Sequence, residues 1–363
     1  MIGRPPTDAA RAPRGLRTLG RAVRDRVSPA SRQVLVGLLA LPVSVLPFVA
    51  YAQFTPAGGL LLAKVHVAVA PPTLPEYRSG EVEAMRARAP RWSGLAAVLV
   101  YHGMGSTSAE QAWTISPEHF ADQIATLRAS GMTPITAADL AAARAGAAGL
   151  PDNAVLVSFD DGRTDAFLWA DPVLELADWK ATMFVITSEA EQSSLYYQGW
   201  DEMAAFAGTG RWDIESHTDG MHYEQEAAGG ESLPALTSLQ PGETIDGYAY
   251  RTTDDLDASV QAITDRVGVA PHAIAYPFGA YGAEGTNHPR LQRVLADEVR
   301  SRFALGFHQD DQDTVPLAGC SGDPLMVRRL EVGNWTGAQL LDRLTTMAAA
   351  RGSQNASPCP GQE

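Results

Sequence analysis

Two adjacent carboxylates follow an apolar run near the middle of the chain. The residues from Val155 to Phe159 have the composition of a buried strand, and Asp160, Asp161 and Gly162 come directly after them. Further along, His217 and His222 bracket the residues Thr-Asp-Gly-Met. Carboxylate and imidazole groups bind divalent cations, and a spare carboxylate beside such a site can act as a base. The two clusters together suggest a divalent cation held by carboxylate and imidazole, with a carboxylate base beside it.

Each cluster also has an ordinary structural interpretation. Asp-Gly after an apolar run is most often a turn, and pairs of histidines occur by chance in surface loops. On a regular helix, five residues separate two side chains by about 140°, so His217 and His222 would not share a face. The two histidines converge only if the intervening residues form a turn, for which Asp219-Gly220 is a suitable dipeptide.

The segments around these clusters alternate between predicted strands and helices, as in an α/β domain. We expect strands at 96–101, 132–136, 154–159, 182–187, 212–215 and 272–276, and helices at 117–130, 137–145, 165–178, 200–208, 254–267 and 289–301. The stretch 223–253 has no clean period and is expected to be a loop that contacts substrate. Asp160, Asp161, His217 and Pro277 all follow predicted strands, where barrel enzymes place their chemistry.

A longer pattern connects the clusters. The motifs SFDDGRTDAF, KATMFVIT, IESHTDGMH and AYPFGAYG occur in that order, after an upstream VLVYHGMG and ISPEHFADQIATLRASGMTPIT. Over roughly residues 95 to 345 this pattern resembles the polysaccharide deacetylases (carbohydrate esterase family 4, the NodB-homology domain). The motif order is most similar to the branch of biofilm poly-N-acetylglucosamine deacetylases. The resemblance implies a distorted (β/α)7-type barrel of about seven strands.

The resemblance assigns roles to particular residues. It makes Asp161, His217 and His222 the metal ligands, Asp160 the general base, and the backbone amide of Phe278 an oxyanion donor. The metal implied is zinc, although two imidazoles and one carboxylate also suit Co²⁺, Ni²⁺ or Fe²⁺.

One family feature is missing from its usual position. Members often have an arginine where this chain has Ala275, so the group that orients Asp160 must come from elsewhere. Arg163 and Arg251 are the candidates considered, with solvated surface positions as the alternative for both.

A general acid must protonate the departing amine. His102 at the end of a predicted strand resembles the N-terminal histidine of the biofilm branch and is preferred to His308, which lacks the family's leucine two residues earlier. Tyr276 and Tyr281 lie next to a motif and are expected to contact sugar rings. For Trp200 and Trp335, core packing is the favoured interpretation.

The N-terminal region has the pattern of a targeting segment. Residues 1–33 contain eight arginines against two aspartates, and residues 34–54 carry no charge. About 20 apolar residues can cross a bilayer, and the arginine excess would place the leader in the cytoplasm. We therefore expect residues 34–54 to form a membrane anchor, or a signal segment cleaved after Ala52, with the catalytic domain extracellular in both cases.

Charge and cysteine content agree with an exported domain. The whole chain has a net charge of −14, and without its first 52 residues about −20, which argues against nucleic acid as a partner. The two cysteines, Cys320 and Cys359, are candidates for a disulfide in an oxidising compartment. The expected organisation is a linker or stalk at 55–94, a deacetylase domain at 95–350 and a tail at 351–363.

The sequence thus predicts a hydrolase that removes N-acetyl groups from an extracellular GlcNAc-type polysaccharide, releasing acetate and a free amine. Three alternatives stay open at this stage. They are an O-acetyl esterase of xylan-like polymers, a non-catalytic glycan-binding relative, and a domain that assists glycan export through partner proteins.

Overall fold

Parallel strands close into a barrel in the computed structural model, which describes residues 56–105, 113–192, 194–227, 230–309 and 316–350. The described residues from Leu60 onward form one compact unit. The predicted leader and membrane segment at 1–54, the tail at 351–363 and Cys359 lie outside the described residues. Within the described ranges, no helix is long and apolar enough to cross a bilayer.

The strands are numbered in chain order: β1 (Ala96–Tyr101), β2 (Gly103–Met104), β3 (Thr114–Ile115), β4 (Thr133–Ile135), β5 (Ala154–Phe159), β6 (Ala181–Val185), β7 (Trp212–Ser216), β8 (Glu224–Glu226), β9 (Ser232–Pro234), β10 (Ala273–Ala275), β11 (Leu305–Gln309), β12 (Leu317–Ala318) and β13 (Val327–Glu331). The 7 strands β1, β5, β6, β7, β10, β11 and β13 form a closed parallel ring, which confirms the predicted barrel. The ring closes where β1 pairs with β5 on one edge and with β13 on the other.

The barrel is distorted at the amino-terminal ends of its strands. The short strand β4 pairs with the first half of β5, while β6 pairs with the second half. In the same way, β12 runs antiparallel to the start of β1, and β13 pairs with its later residues. The carboxyl ends of the ring strands remain close together, and the candidate site lies there.

Strand alternation divides the apolar residues into two groups. One hydrophobic cluster gathers Val98, Leu156, Phe184 and Phe307 from strands on different sides of the ring, so these side chains fill the barrel interior. The residues between them belong to a second cluster, which packs against the surrounding helices. The same alternation decides which polar side chains point into the barrel.

The helices are α1 (Pro56–Val69), α2 (Ser79–Arg88), α3 (Pro117–Ala129), α4 (Ala137–Arg144), α5 (Thr164–Ala177), α6 (Thr187–Glu191), α7 (Trp200–Gly208), α8 (Ile245–Val267), α9 (Leu291–Arg300) and α10 (Gly337–Ala350). The sequence predicted β1, β5 and α7 at these residues, and it predicted the cap of α3, where the Ser116 side chain accepts a hydrogen bond from the His119 amide.

The predicted loop at 223–253 is wrong for its second half. Helix α8 begins at Ile245, because the Thr244 side chain accepts a hydrogen bond from the Gly247 amide and caps it. Tyr248 in the first turn is fully buried, and its hydroxyl donates to the carbonyl of Leu236. The first half of the predicted loop contains the hairpin of β8 and β9.

The segment predicted as a linker or stalk also has structure. The Tyr77 hydroxyl donates to Asp122 in α3 at 2.7 Å, and Trp92 is buried with its indole N–H bonded to the carbonyl of Ala154 at 2.9 Å. Helix α2 contacts α3 between these two anchors. The second half of the 55–94 segment therefore packs on the barrel domain.

Candidate metal centre

Three non-glycine residues with left-handed backbone conformation lie just beyond the carboxyl ends of barrel strands. Asp161 (φ 73°) follows β5, Thr218 (φ 72°) follows β7, and Phe278 (φ 58°) follows β10. This conformation costs about 1–2 kcal/mol in a non-glycine residue and often occurs at functional sites. At Asp161 it ends the strand alternation, so that both adjacent carboxylates face the barrel mouth, with Gly162 continuing the turn at φ 77°.

The predicted ligand residues come together at this mouth. The Asp161 Oδ1 atom lies 3.7 Å from His217 Nε2 and 3.6 Å from His222 Nε2. One potential ligand atom from each residue lies within 4.8 Å of the others. Ligand atoms that share a tetrahedral zinc at about 2.0–2.1 Å are separated by about 3.4 Å. The donor set and its spacing therefore fit a zinc-like cation.

The surroundings of His217 suit a metal ligand. Its Nδ1 atom lies 2.8 Å from the carbonyl oxygen of Ala275, which accepts the ring proton and leaves the Nε2 lone pair directed towards Asp161. Burial lowers the pKa of His217 to about 4, although Asp160 opposes that shift. The imidazole is therefore neutral near pH 7, as metal binding requires. His222 is held by stacking on the Phe278 ring at 4.8 Å.

A buried arginine holds Asp160. Arg329 in β13 donates from Nη1 to Oδ1 at 2.6 Å and from Nη2 to Oδ2 at 2.7 Å, and the two side chains are 0% and 1% exposed. Burial alone would raise the pKa of Asp160, but the Arg329 guanidinium holds that pKa below its usual range. Asp160 is thereby kept ionised and fixed in orientation.

Arg329 is the residue that the sequence interpretation missed. The two candidates lie elsewhere: Arg163 pairs with Asp165, and Arg251 pairs with Glu243 at 2.8 Å. A signal was present in the VRRLE stretch that forms β13. Because neighbouring side chains of a strand point in opposite directions, one of two adjacent arginines in a barrel strand must point inward.

His102 and His308 occupy different sides of the barrel wall. The Nε2 atom of His102, directly after β1, lies 3.8 Å from Asp160 Oδ2. Burial lowers the pKa of His102, and Asp160 and Asp161 oppose this effect. In β11, Phe307 belongs to the interior cluster and Gln309 contacts Arg329, so His308 between them points outward, where it contacts Tyr281. The structure thus brings His102, and not His308, to Asp160.

The aromatic residues near the site differ from those expected. Tyr276 is 2% exposed, and its hydroxyl donates to the carbonyl of Leu325. It therefore packs in the core, and the prediction that it contacts a sugar ring is wrong. Tyr281 is half-buried between Tyr276 and His308. Trp200 is buried, and the Arg343 guanidinium covers the half-buried Trp335.

Exposed rings surround the site instead. Phe278, whose amide was assigned to the oxyanion, has a ring that is 50% exposed beside His222, and Trp113 is 60% exposed with its ring 5.7 Å from His102. Tyr196, also exposed, lies under the guanidinium of Arg163. The sequence did not single out Trp113 or Tyr196, since their exposure depends on loop placement. Cys320 is described but Cys359 is not, so the disulfide stays a prediction.

Comparison with known proteins finds similarity to polysaccharide deacetylases. Residues 147–292 match the sequence model of the polysaccharide deacetylase family. A poly-β-1,6-N-acetyl-D-glucosamine N-deacetylase of Escherichia coli K12 is 26% identical over 247 residues, which cover 62% of this chain and 36% of that protein. The match thus spans about a third of the length of this curated relative.

Two solved structures share the fold. A de-N-acetylase from Aggregatibacter actinomycetemcomitans superposes with a TM-score of 0.58 at 21% identity, covering 68% of this chain and 99% of that one. IcaB from Ammonifex degensii superposes with a TM-score of 0.55 at 23% identity, covering 69% and 97%. At these identities, the likeness shows the fold alone.

Proposed function

We propose that this chain, which carries a polysaccharide deacetylase domain, hydrolyses the N-acetyl groups of a GlcNAc-type polysaccharide. One observation carries the proposal. A cluster of two imidazoles and one carboxylate lies beside a second, buried carboxylate that Arg329 holds ionised. A glycan-binding protein without catalytic activity would have no need of this costly buried pair.

The donor set of Asp161, His217 and His222 would hold a divalent cation, with zinc as the proposed metal. When bound, that cation supplies Lewis-acid activation of water and of the acetyl carbonyl. Asp160 accepts a proton from the attacking water, because Arg329 fixes its two oxygens and keeps them ionised. The amide of Phe278 is proposed to donate to the oxyanion that forms on the carbonyl oxygen.

The carbon–nitrogen bond then breaks, and the leaving nitrogen takes a proton. His102 is proposed as the donor, since its Nε2 atom lies 3.8 Å from the Asp160 carboxylate. This separation is longer than a hydrogen bond, so the proton accepted by Asp160 would pass to the imidazole, and then to the amine, through one bridging water. The products are acetate and a free amino sugar: one water proton goes to the leaving nitrogen, and the second, carried by the nascent acetic acid, is released to solvent.

The proposed substrate is a neutral polymer of N-acetylated sugars. The relative matched in sequence is named for poly-β-1,6-N-acetyl-D-glucosamine, and this chain carries a strongly acidic charge beyond its first 52 residues. A neutral or amino-bearing glycan is not repelled by such a domain, whereas a polyanion is. Exposed rings of Trp113, Tyr196 and Phe278 offer faces on which sugars can stack.

The proposed location is the outer face of the cell membrane, with residues 34–54 as the anchor, or the exterior if the chain is cleaved after Ala52. The absence of charge in 34–54 and the arginines before it support this proposal. Fractionation of cells that express a C-terminally tagged chain tests it. Activity and tag in the membrane fraction support the anchor, and tag confined to the cytosol contradicts both forms.

Acetate release tests the catalytic proposal. The zinc-loaded chain is incubated with β-1,6-linked N-acetylglucosamine oligomers and, separately, with O-acetylated xylan. We expect acetate from the amino-sugar oligomers, its loss on treatment with a chelator, and its return when zinc is added. Acetate from xylan alone would assign the protein to the esterases. Release that continues in the chelator would contradict the metal site.

A further inference from the structure

The loop that carries both predicted metal histidines is tied to helix α8. The carboxylate of Asp255 accepts a hydrogen bond from the Asp219 amide on Oδ1 at 3.1 Å and from the Gly220 amide on Oδ2 at 2.7 Å. These two amides lie between His217 and His222. Both oxygens of the carboxylate are thus used to fix the turn that brings the histidines together.

A second contact from the same helix reaches the start of the loop. Ser259 is fully buried, one helical turn after Asp255, and its hydroxyl lies 2.5 Å from the hydroxyl of Ser216. The Ser216 hydroxyl in turn accepts a hydrogen bond from the Thr218 amide at 3.1 Å. Two residues on one face of α8 therefore hold the loop at two points.

Helix α6 contacts the same loop from the other side. The Thr187 amide donates to the carbonyl of Thr218 at 3.2 Å, and the Thr187 hydroxyl donates to the Asp219 carboxylate at 2.6 Å. The Ser188 hydroxyl donates to the Asp219 carbonyl, also at 2.6 Å. The carbonyls of Thr218 and Asp219 thus accept hydrogen bonds from α6, and the amides of Asp219 and Gly220 donate to α8.

The geometry of the loop explains why it needs these contacts. Two histidines five residues apart converge only through a tight turn, and Thr218 enters that turn with φ 72°. Such a conformation in a threonine costs about 1–2 kcal/mol and persists only when its surroundings hold it. Charge-assisted hydrogen bonds from backbone amides to a carboxylate are among the stronger contacts available for this purpose.

We propose that Asp255 is a positioning residue, which sets the separation of the His217 and His222 imidazoles and thereby the affinity of the site for its metal. The proposal rests on the metal site of the proposed function and is independent of the reaction carried out there. Asparagine should not replace Asp255, because one of its two polar atoms would be an NH₂ group facing a backbone N–H. Mutation of residues that orient metal ligands typically weakens metal binding about 10–100-fold.

The test compares Asp255→Asn with Asp254→Asn in the full chain, since Asp254 is the adjacent, exposed aspartate of the same helix. Zinc affinity is measured by competition with a chromophoric chelator, and the visible spectrum of the Co²⁺-loaded protein reports ligand geometry. We expect Asp255→Asn to bind zinc about 10–100-fold more weakly and to show an altered cobalt spectrum. Asp254→Asn should match the wild type in both.

Further measurements separate positioning from a loss of folding. Ser259→Ala removes the second contact and is expected to weaken zinc binding in the same direction while leaving Asp255 in place. Thermal unfolding of the metal-free variants shows whether each one is folded at the assay temperature. Folded Asp255→Asn with wild-type zinc affinity and cobalt spectrum would overturn the proposal and leave the proposed function intact. A wild-type chain that binds no zinc would overturn the metal site itself.

Discussion

Arg329 and Asp160 face each other across the barrel interior through two parallel hydrogen bonds of 2.6 and 2.7 Å. The arginine comes from β13, 169 residues after the aspartate in the chain. It takes the role that the family resemblance would have given to position 275, where this chain has alanine. The carboxylate that we propose as the base is thus oriented by a strand on a different part of the ring.

Replacing Arg329 by lysine should lower kcat while leaving zinc bound. A lysine ammonium cannot form the parallel pair of hydrogen bonds, so Asp160 would lose its fixed orientation. A displacement of about 1 Å in a reacting group can cost about 10²-fold in rate, and we expect a loss of this size. Steady-state kinetics of acetate release, together with zinc content per chain, check the prediction.

The free energy of unfolding of Arg329→Ala tests the same Arg329–Asp160 ion pair. It leaves a buried, unpaired carboxylate, which typically costs about 3–5 kcal/mol. Adding Asp160→Asn removes the unpaired charge, so the double variant should recover much of the lost free energy of unfolding without regaining activity. Equal stability of the single and double variants would contradict the pairing.

His102→Ala should separate amide from activated-ester hydrolysis. An amine leaves only with a proton, whereas p-nitrophenolate leaves without one, so a missing general acid affects the first reaction far more. We expect acetate release from amino-sugar oligomers to fall by about 10²–10⁴-fold, with hydrolysis of p-nitrophenyl acetate largely retained. His308→Asn is the comparison, because His308 points away from the site. A larger loss of amide hydrolysis in that variant would overturn the assignment of His102.

Trp113→Ala should weaken binding of long substrates. The exposed indole lies beside His102, where it can stack on a sugar that flanks the reacting unit. We expect KM for hexamers to rise more than KM for dimers, with kcat little changed. Tyr250→Ala is the control, since Tyr250 is an exposed aromatic residue on α8. An equal effect of both variants would show that general surface changes, and not stacking beside the site, determine KM.

Glu215→Gln should change how stability depends on pH. Burial, together with the neighbouring Asp213, raises the pKa of Glu215 well above the ordinary range of a glutamate. As pH rises, Glu215 therefore loses its proton in the unfolded chain before it does so in the folded chain. The free energy of unfolding of the wild type falls above about pH 4.5, and this group contributes a decrease of about 1.4 kcal/mol per pH unit. Glutamine cannot ionise. The variant should therefore gain stability relative to the wild type with rising pH, as measured by urea unfolding of the metal-free proteins. A difference that stays constant from pH 4 to 8 would contradict the buried, protonated state.

The sequence predicted the parts of the site that depend on local patterns. The apolar run before Asp160 ends at two adjacent aspartates, so the sequence located β5 and its two carboxylates correctly. The turn at Asp219-Gly220 follows from the turn preference of that dipeptide. The adjacent arginines of β13 indicate that one of them points inward, but no local pattern indicates that Arg329 meets Asp160 on another strand. The start of α8 was missed because burial of Tyr248, and not periodicity, extends that helix. Tyr276 was expected to contact sugar rings, but the direction of a side chain after a short strand depends on its neighbours.

The measurement that tests the account most directly is made on Asp160→Asn, with zinc content and acetate release determined on the same sample. If Asp160 is the base and Asp161, His217 and His222 are the ligands, the variant keeps one zinc per chain and loses acetate release from amino-sugar oligomers. Retained acetate release would show that Asp160 is not the base. Loss of zinc along with activity would show that Asp160 belongs to the metal site, which would contradict the division of roles between the two adjacent aspartates.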